Sequence, residues 1–349
     1  MTRISLRPSR SSLALLLVCV VAECTTDGRA PAHARGTGHA DPPFGFAVGL
    51  YPETARRHGW VHPPDLREVQ ALHANAILLT PSWSQQDVRS SVLARDAETP
   101  NDEELTSVIA SAHRLGLSVA LMPFVRLRET EPGVWRGTIG PGDEDRWWAG
   151  YGQMITTYAA LAERSGVSLF AIGSEMTSMS SEDRAWRWRA LSDRVRAITS
   201  ARLAFVANHD ALDLRTPMAF VDVVGVSAYF PLDGDPYAAW RAHAARLGRF
   251  AAAVGRPLMV FEVGYPSRRG ALGRPWDDVA GTPVDHATQT LGYAAATAAL
   301  RDAAWLDGLF FWSWYGEGGR YDRGFTPRHK PASEVASRFL CFKNALDCP

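Results

Sequence analysis

Eight short apolar runs recur along the chain from residue 44 onward, and each is followed by a stretch with helical periodicity that usually ends near a glycine. Strands of a parallel sheet that is covered on both faces have this nearly continuous apolar character. Eight such units without a linker between them predict the α/β class and a single (β/α)8 (TIM) barrel, in preference to two smaller domains. The expected strands are 46–50, 76–80, 118–122, 168–172, 203–207, 223–227, 258–261 and 308–311.

Two of the intervening stretches begin with recognisable helix-start signals. Asn101 is followed by Glu104, a spacing that predicts a capping box at a helix N-terminus. Asp143 is expected to cap a helix that runs to Arg164 and ends before Gly166. Both helices would occupy positions between expected strands, which agrees with the barrel.

Two glutamates, Glu175 and Glu262, stand at the carboxyl ends of the fourth and seventh expected strands. In a barrel of this kind the carboxyl ends of the strands form the catalytic face, so both side chains should face the same opening. Paired carboxyl groups there indicate glycoside hydrolysis, in which one protonates the leaving oxygen and the other attacks or stabilises the anomeric carbon. The alternative is a pair of structural carboxylates that take part in salt bridges.

Composition narrows the function without deciding it. The formal net charge of +0 argues against a nucleic-acid partner. Twelve tryptophans and nine tyrosines suit stacking on sugars, but they also suit an ordinary barrel core. The histidines form no HExxH pair, the cysteines lack zinc spacing, and there is no glycine-rich phosphate loop, so we expect no metal and no cofactor.

Several segments around the two glutamates resemble a known enzyme family. Glutamates after strands four and seven are typical of the clan A glycoside hydrolases, which are retaining enzymes. The matching segments are WWAGY (147–151), YAALAE (158–163), IGSEM (172–176), GVSAYFPL (225–232), EVGYPS (262–267), PWD (275–277) and FWSW (311–314). In this order they resemble glycoside hydrolase family 113, the β-mannanases, over roughly residues 44–339. The resemblance implies an endo-β-1,4-mannanase-like hydrolase that acts on mannan-type polysaccharides.

The resemblance also assigns roles to individual residues. It makes Glu175 the acid/base and Glu262 the nucleophile of a double displacement. Tyr229, after the sixth expected strand, would donate a hydrogen bond to the nucleophile. Trp312, at the end of the eighth, would form the platform under the sugar at the cleavage point. Core packing is the alternative for both aromatic residues.

Five further residues are candidates for substrate binding, each with a structural alternative. Asn208 and His209 follow the fifth expected strand, Trp83 follows the second, and Arg126 follows the third. Ser174 stands directly before Glu175, where most clan A enzymes have an asparagine that binds the sugar 2-hydroxyl. Mannose and glucose differ at carbon 2, so Ser174 bears on specificity.

Two other functions remain open at this level. One is a clan A glycosidase or transglycosidase that acts on another β-glycan. The other is a barrel that binds glycans without cleaving them. In each case the expected partner is a β-linked polysaccharide or oligosaccharide, and a monomer is the expected state.

The N-terminus indicates export. Arg3, Arg7 and Arg10 precede the apolar stretch 13–22, which is too short to span a bilayer as a helix and is typical of a signal peptide. The residues that follow, rich in Gly, Ala, His and Pro, predict a flexible tether. The expected domains are a signal peptide at 1–23, a tether at 24–43 and the catalytic barrel at 44–349.

Removal of the signal peptide leaves Cys24, Cys341 and Cys348. The last two could pair in an oxidising compartment, which leaves Cys24 without a partner. A lipid on Cys24 would explain the odd cysteine, whereas cleavage after Ala22 would leave a free thiol. The protein is therefore expected to be either secreted or lipid-anchored at the cell surface.

Overall fold

The computed structural model describes residues 41–50, 60–61, 63–213, 215–277 and 281–346. In chain order its strands are β1 (Phe44–Val48), β2 (Ala76–Leu79), β3 (Ser82–Gln85), β4 (Ser118–Leu121), β5 (Phe124–Leu127), β6 (Leu169–Ser174), β7 (Arg202–Asn208), β8 (Val223–Ser227), β9 (Leu258–Val263) and β10 (Leu306–Trp314). Eight of them, all except β3 and β5, pair in parallel and form a closed barrel. The predicted (β/α)8 TIM barrel is confirmed, and each expected strand overlaps an observed one.

Helices follow seven of the eight barrel strands and surround the barrel, whereas the described residues between β7 and β8 include only a short 3-10 helix (Pro217–Phe220). The α-helices are α1 (Pro63–Ala71), α2 (Asp102–Arg114), α3 (Glu144–Ser165), α4 (Ala185–Arg196), α5 (Pro236–Val254), α6 (His286–Leu300) and α7 (Ala332–Lys343). Both expected helix starts are confirmed. Asn101 and Glu104 form a reciprocal capping box at α2, the Asp143 side chain caps α3, and Gly166 ends α3 with φ 69°.

Two apolar clusters hold the layers together. The smaller consists of strand residues such as Leu78, Val206 and Phe261, which fill the barrel interior. The larger lies between the strands and the helices and includes the buried indoles of Trp147 and Trp188. Because the interior is packed rather than open, a substrate can reach the barrel only at one of its ends.

The short strands β3 and β5 were not predicted. They follow the second and third barrel strands directly and pair with each other in a separate two-stranded sheet. The sequence of β3 is SWSQ, so it lacks the apolar run that identified the barrel strands. Trp83 and Arg126, which were expected to follow the second and third barrel strands, lie on β3 and β5.

The N-terminal predictions fall outside the described residues. This applies to the signal peptide, to Cys24 and to nearly all of the tether, and also to Cys348 at the other end of the chain. Cys341 is disulfide-bonded. Among the helices in the described parts of the chain, none combines the length and apolar character needed to cross a membrane.

Gly264 brings the ends of β9 and β10 together. A Cβ atom at this position would overlap the carbonyl oxygen of Trp312 and would lie 3.3 Å from the Phe325 ring. The backbone next to Glu262 therefore packs directly on the backbone that carries Trp312. Only glycine permits this approach.

We expect Gly264→Ala to destabilise the protein by about 1–3 kcal/mol, because the added methyl group must push β10 away from β9. Activity should fall as well, since the shift moves Trp312. Gly273→Ala is the matched control, because the nearest atom to its Cβ would be 3.9 Å away. Urea denaturation of the two variants is the measurement. Equal stability of both would contradict the tight packing of Gly264.

Candidate active site

Glu175 and Glu262 both lie at the carboxyl end of the barrel. Glu262 is the penultimate residue of β9, and Glu175 is the first residue after β6. Glu175 is 6% exposed, and Glu262 is 2% exposed. The fold therefore buries two carboxyl groups on the same face, at the two positions that the sequence singled out.

Tyr229 holds one oxygen of Glu262. It lies two residues after β8, and its hydroxyl donates a hydrogen bond of 2.8 Å to Glu262 Oε2. The other carboxylate oxygen, Oε1, is buried and accepts no hydrogen bond from any described residue. The two oxygens thus differ: Oε2 is fixed by a donor, and Oε1 has no donor at hydrogen-bond distance among the described residues.

Arg136 supplies a positive charge that the sequence analysis missed. It lies in the segment between β5 and α3, and its Nη2 is 3.1 Å from Glu175 Oε2. Its guanidinium also lies 4.9 Å from the centre of the Phe124 ring, which helps to fix its position. A single arginine outside any apolar run does not mark itself as a site residue in the sequence. Only the structure identifies Arg136 as a partner of Glu175.

The environment of Glu262 favours its protonated form. Burial, followed by the negative charge of Glu175, raises the pKa of Glu262 from 4.5 to about 8. The positive charge of Arg136 lowers this pKa, and polar contacts with Tyr229 and Ser227 do the same. We infer that near neutral pH the pair holds one proton and Arg136 offsets its remaining charge.

Glu175 has an unusual backbone conformation. Its φ angle is 55°, in the left-handed region that residues other than glycine seldom adopt. Such a conformation costs on the order of 1–3 kcal/mol and persists only where the surroundings enforce it. Here the Glu175 N–H donates a 2.8 Å hydrogen bond to the carbonyl of Val206 on β7. Strain of this kind is typical of functional sites.

Ser174 directly precedes Glu175, and Trp312 lies on β10, which pairs with the strand that carries Glu262. Trp312 is half-buried on β10, where it packs against the apolar cluster in the barrel interior. Ser174 is the last residue of β6, is 2% exposed, and its Oγ has no hydrogen-bond partner among the described residues. An unpaired buried hydroxyl beside Glu175 is available for a ligand.

Asn208 and His209 lie at the end of β7. Asn208 donates a 2.8 Å hydrogen bond to Asp210 and contacts His209 Nδ1 at 3.1 Å. The His209 ring stacks on Trp276, with centroids 5.8 Å apart. Burial lowers the pKa of His209, although the charges of Asp210 and Glu175 oppose this change. The negative charge of Glu175 thus acts on the His209 ring.

Trp83 and Arg126 are engaged elsewhere. Trp83 is 9% exposed and belongs to the large apolar cluster between strands and helices. Arg126 forms ion pairs with Asp96 at 2.7 Å and with Glu98 at 3.4 Å. No group of three or more His, Cys, Asp or Glu that could hold a metal occurs in the described part of the chain.

The raised pKa of Glu262 predicts a pH-dependent effect of Glu262→Gln on stability. The folded pKa of about 8 lies above the ordinary value of 4.5. Protonated Glu262 therefore contributes stability that is fully present below about pH 4.5 and is lost as the pH rises through about 8. Glutamine has no proton to lose. The melting temperature of the variant relative to the wild type should increase between pH 5 and pH 9, measured by calorimetry.

Glu334→Gln, at an exposed site on α7, is the control for that experiment. It should change the melting temperature by a similar small amount at every pH. A constant difference between Glu262→Gln and the wild type over the whole range would show that Glu262 is ionised in the folded protein at every pH tested.

Comparison with known proteins identifies the family of this chain. A family model for Glycoside Hydrolase Family 113 matches residues 55–325. Among solved structures, the GH113 β-mannanase AaManA from Alicyclobacillus acidocaldarius in complex with ManMIm is 28% identical, with a TM-score of 0.77 over 86% of this chain and 98% of that one. The comparison with curated proteins finds no match.

Less similar structures share the fold. A GH113 β-1,4-mannanase is 23% identical, with a TM-score of 0.76 over 86% of this chain and 99% of that one. A fungal β-1,4-galactanase is 15% identical, with a TM-score of 0.60 over 86% of this chain and 100% of that one. Since the family model spans most of the barrel and both of its buried glutamates, this chain belongs to glycoside hydrolase family 113 and is a glycoside hydrolase.

Proposed function

We propose that this glycoside hydrolase cleaves β-1,4-mannosidic bonds in mannan-type polysaccharides with retention of anomeric configuration. The observation that carries the proposal is the buried pair Glu175 and Glu262, in which Tyr229 fixes one oxygen of Glu262 and leaves the other unpaired. An oriented carboxylate beside a second carboxyl group is the arrangement that double displacement requires.

In the first step, Glu262 Oε1 attacks the anomeric carbon while the glycosidic C–O bond breaks. The proton of the pair must then lie on Glu175, which gives it to the leaving oxygen. The product is a glycosyl ester of Glu262. In the second step, Glu175 takes a proton from water, the resulting hydroxide attacks the same carbon, and Glu262 is released.

Tyr229 supports this division of roles. Its hydrogen bond lowers the pKa of Glu262 and so favours the ionised nucleophile. Binding of a sugar adds hydroxyl groups and removes water, and the location of the shared proton responds to such changes. The contact of Arg136 with Glu175 at 3.1 Å also keeps the acid/base side chain in a fixed place.

The relatives and the site both support this choice of substrate. The more similar solved structures are described as β-mannanases of the same family. The unpaired Ser174 hydroxyl beside Glu175 and the half-buried Trp312 ring offer a hydroxyl partner and an apolar platform for one sugar. A different β-glycan is the second candidate, because Ser174 stands where most clan A enzymes carry an asparagine. Hydrolysis of a panel of mannan, glucan, xylan and galactan distinguishes the two.

We also propose that the protein is exported as a monomer. The arginines and the apolar stretch at its N-terminus support a signal peptide. Cys24 then either carries a lipid that anchors the enzyme to the cell surface or remains unmodified in a secreted chain. The intact mass of the mature protein distinguishes these two forms.

The retaining mechanism predicts opposite behaviour of the two glutamate variants. Glu262→Ala should abolish turnover. Glu175→Ala should still form the covalent intermediate from activated aryl mannosides, which need little acid assistance, and added azide should convert it to a β-mannosyl azide. NMR of the first-formed products is the measurement. An inverted anomer from the wild-type enzyme would exclude the mechanism.

Tyr229→Phe should lower kcat about ten- to a hundredfold with little effect on KM, because it removes a hydrogen bond to a charged group worth roughly 1.5–3 kcal/mol. The loss of this donor raises the pKa of Glu262, so the acidic limb of the pH–rate profile should move to higher pH.

Tyr151→Phe is the matched control for that variant. Its buried hydroxyl donates a 2.8 Å hydrogen bond to the carbonyl of Ile172, away from Glu262. The control should lose stability but keep its kcat and its pH profile. If the two tyrosine variants have the same pH–rate profile, Tyr229 only packs at the rim.

A further inference from the structure

A second cleft lies outside the glutamate pair. Its volume is about 660 Å³, and it is formed where α3 and α4 begin. Its lining includes Glu144, Asp145, Asp183, Arg184, Trp186 and Arg187. In a (β/α)8 barrel the helices begin on the face where the strands end. The cleft therefore opens on the same face as Glu175 and Glu262, and its volume falls in the range of roughly 300–1,000 Å³ that is usual for ligand sites.

Trp186 gives this cleft an aromatic surface. The side chain is 61% exposed, whereas the neighbouring Trp188 is fully buried. The Arg187 guanidinium lies 4.3 Å from the centre of the Trp186 ring and 5.9 Å from that of Trp148. Arg187 thus supports the exposed indole and connects it to the buried indole of Trp148.

Salt bridges fix that support. Arg187 is paired with Asp145 and lies 3.6 Å from Glu144, and only 17% of its side chain is exposed. Arg184 is held by Glu144 at 2.8 Å and by Asp183 at 3.1 Å. A platform that is braced before binding loses little conformational entropy when a ligand arrives.

The charges around the platform define the class of ligand. Asp183 and Asp145 keep 70% and 85% of their side chains exposed, so their oxygens can accept hydrogen bonds from hydroxyl groups. The lining carries four acidic side chains, which include Asp143, and two arginines, so its net charge is negative. This charge disfavours polyanions such as nucleic acids and acidic polysaccharides. An aromatic face bordered by acceptors suits a neutral sugar.

We propose that this cleft is a second glycan-binding site, which holds a neutral β-linked polysaccharide backbone on the catalytic face while another part of the polymer occupies the glutamate site. The proposal rests on the proposed function for the identity of the polymer. It adds a binding site that serves long chains and is not needed for short substrates.

The test uses Trp186→Ala in two forms of the full chain. In the active enzyme, hydrolysis of an aryl β-mannobioside should stay within about twofold of the wild-type rate, whereas the rate on dilute long-chain mannan should fall about three- to tenfold. In the inactive Glu262→Gln background, affinity for the same mannan, measured by depletion onto insoluble polymer, should fall by the same factor.

Two further variants control the test. Trp186→Phe keeps an aromatic face and should retain most of the binding. Phe342→Ala removes another partly exposed aromatic side chain, 42% exposed with the Arg301 guanidinium 4.1 Å from its ring centre, at the C-terminal end of α7. That end lies on the opposite face of the barrel, so this variant should bind mannan as the parent does. Melting temperatures confirm that all the variants are folded.

The outcomes separate this inference from the proposed function. If the wild type cleaves mannan and Trp186→Ala binds it as tightly as the parent, the second site is excluded and the function stands. If the wild type cleaves a different neutral β-glycan instead, the proposed function is wrong, and a loss of binding to that glycan in Trp186→Ala still supports the site. Stronger Trp186-dependent binding of polygalacturonate than of any neutral glycan would overturn the assigned ligand class.

Discussion

The closure of the barrel between β10 and β1 is the constraint on which the rest of the molecule depends. Phe44 pairs with Leu309 and Gly45 with Phe310 in a parallel register, so the first and last strands complete the hydrogen-bonded ring. The join is tight, because a Cβ atom on Gly308 of β10 would overlap the carbonyl oxygen of Pro43, the residue before β1. A closed ring has no free edge, and it brings side chains from distant segments to one end.

That closure forces two like-charged groups into a small buried space. Glu175 and Glu262 are both almost fully buried, which is unfavourable for two ionised carboxylates. Arg136, Tyr229 and one shared proton reduce the cost. The same arrangement leaves one carboxylate oxygen unpaired and a strained backbone at Glu175, features that stability alone would not favour. The burial of the two carboxyl groups is therefore the source both of the unfavourable electrostatics and of the unpaired carboxylate oxygen.

The catalytic face is larger than the glutamate pair. The same helix starts that surround the active site also form the cleft with Trp186, because the long connections of the barrel all lie on this face. The indole of Trp148 is buried in the layer between strands and helices and stacks at right angles on Trp188. The Arg187 guanidinium contacts both rings and thus links the exposed Trp186 to the buried Trp148.

The sequence by itself determined the strand order, the barrel and the positions of Glu175 and Glu262, because apolar runs and capping residues are local signals that repeat along the chain. It did not indicate β3, whose sequence SWSQ lacks that pattern, the pairing of β3 with β5, or the ion pairs that engage Arg126. Only the tertiary structure decided that Arg136 meets Glu175 and that one oxygen of Glu262 stays unpaired. These contacts join segments far apart in the chain, so their geometry exists only after the ring of strands has closed.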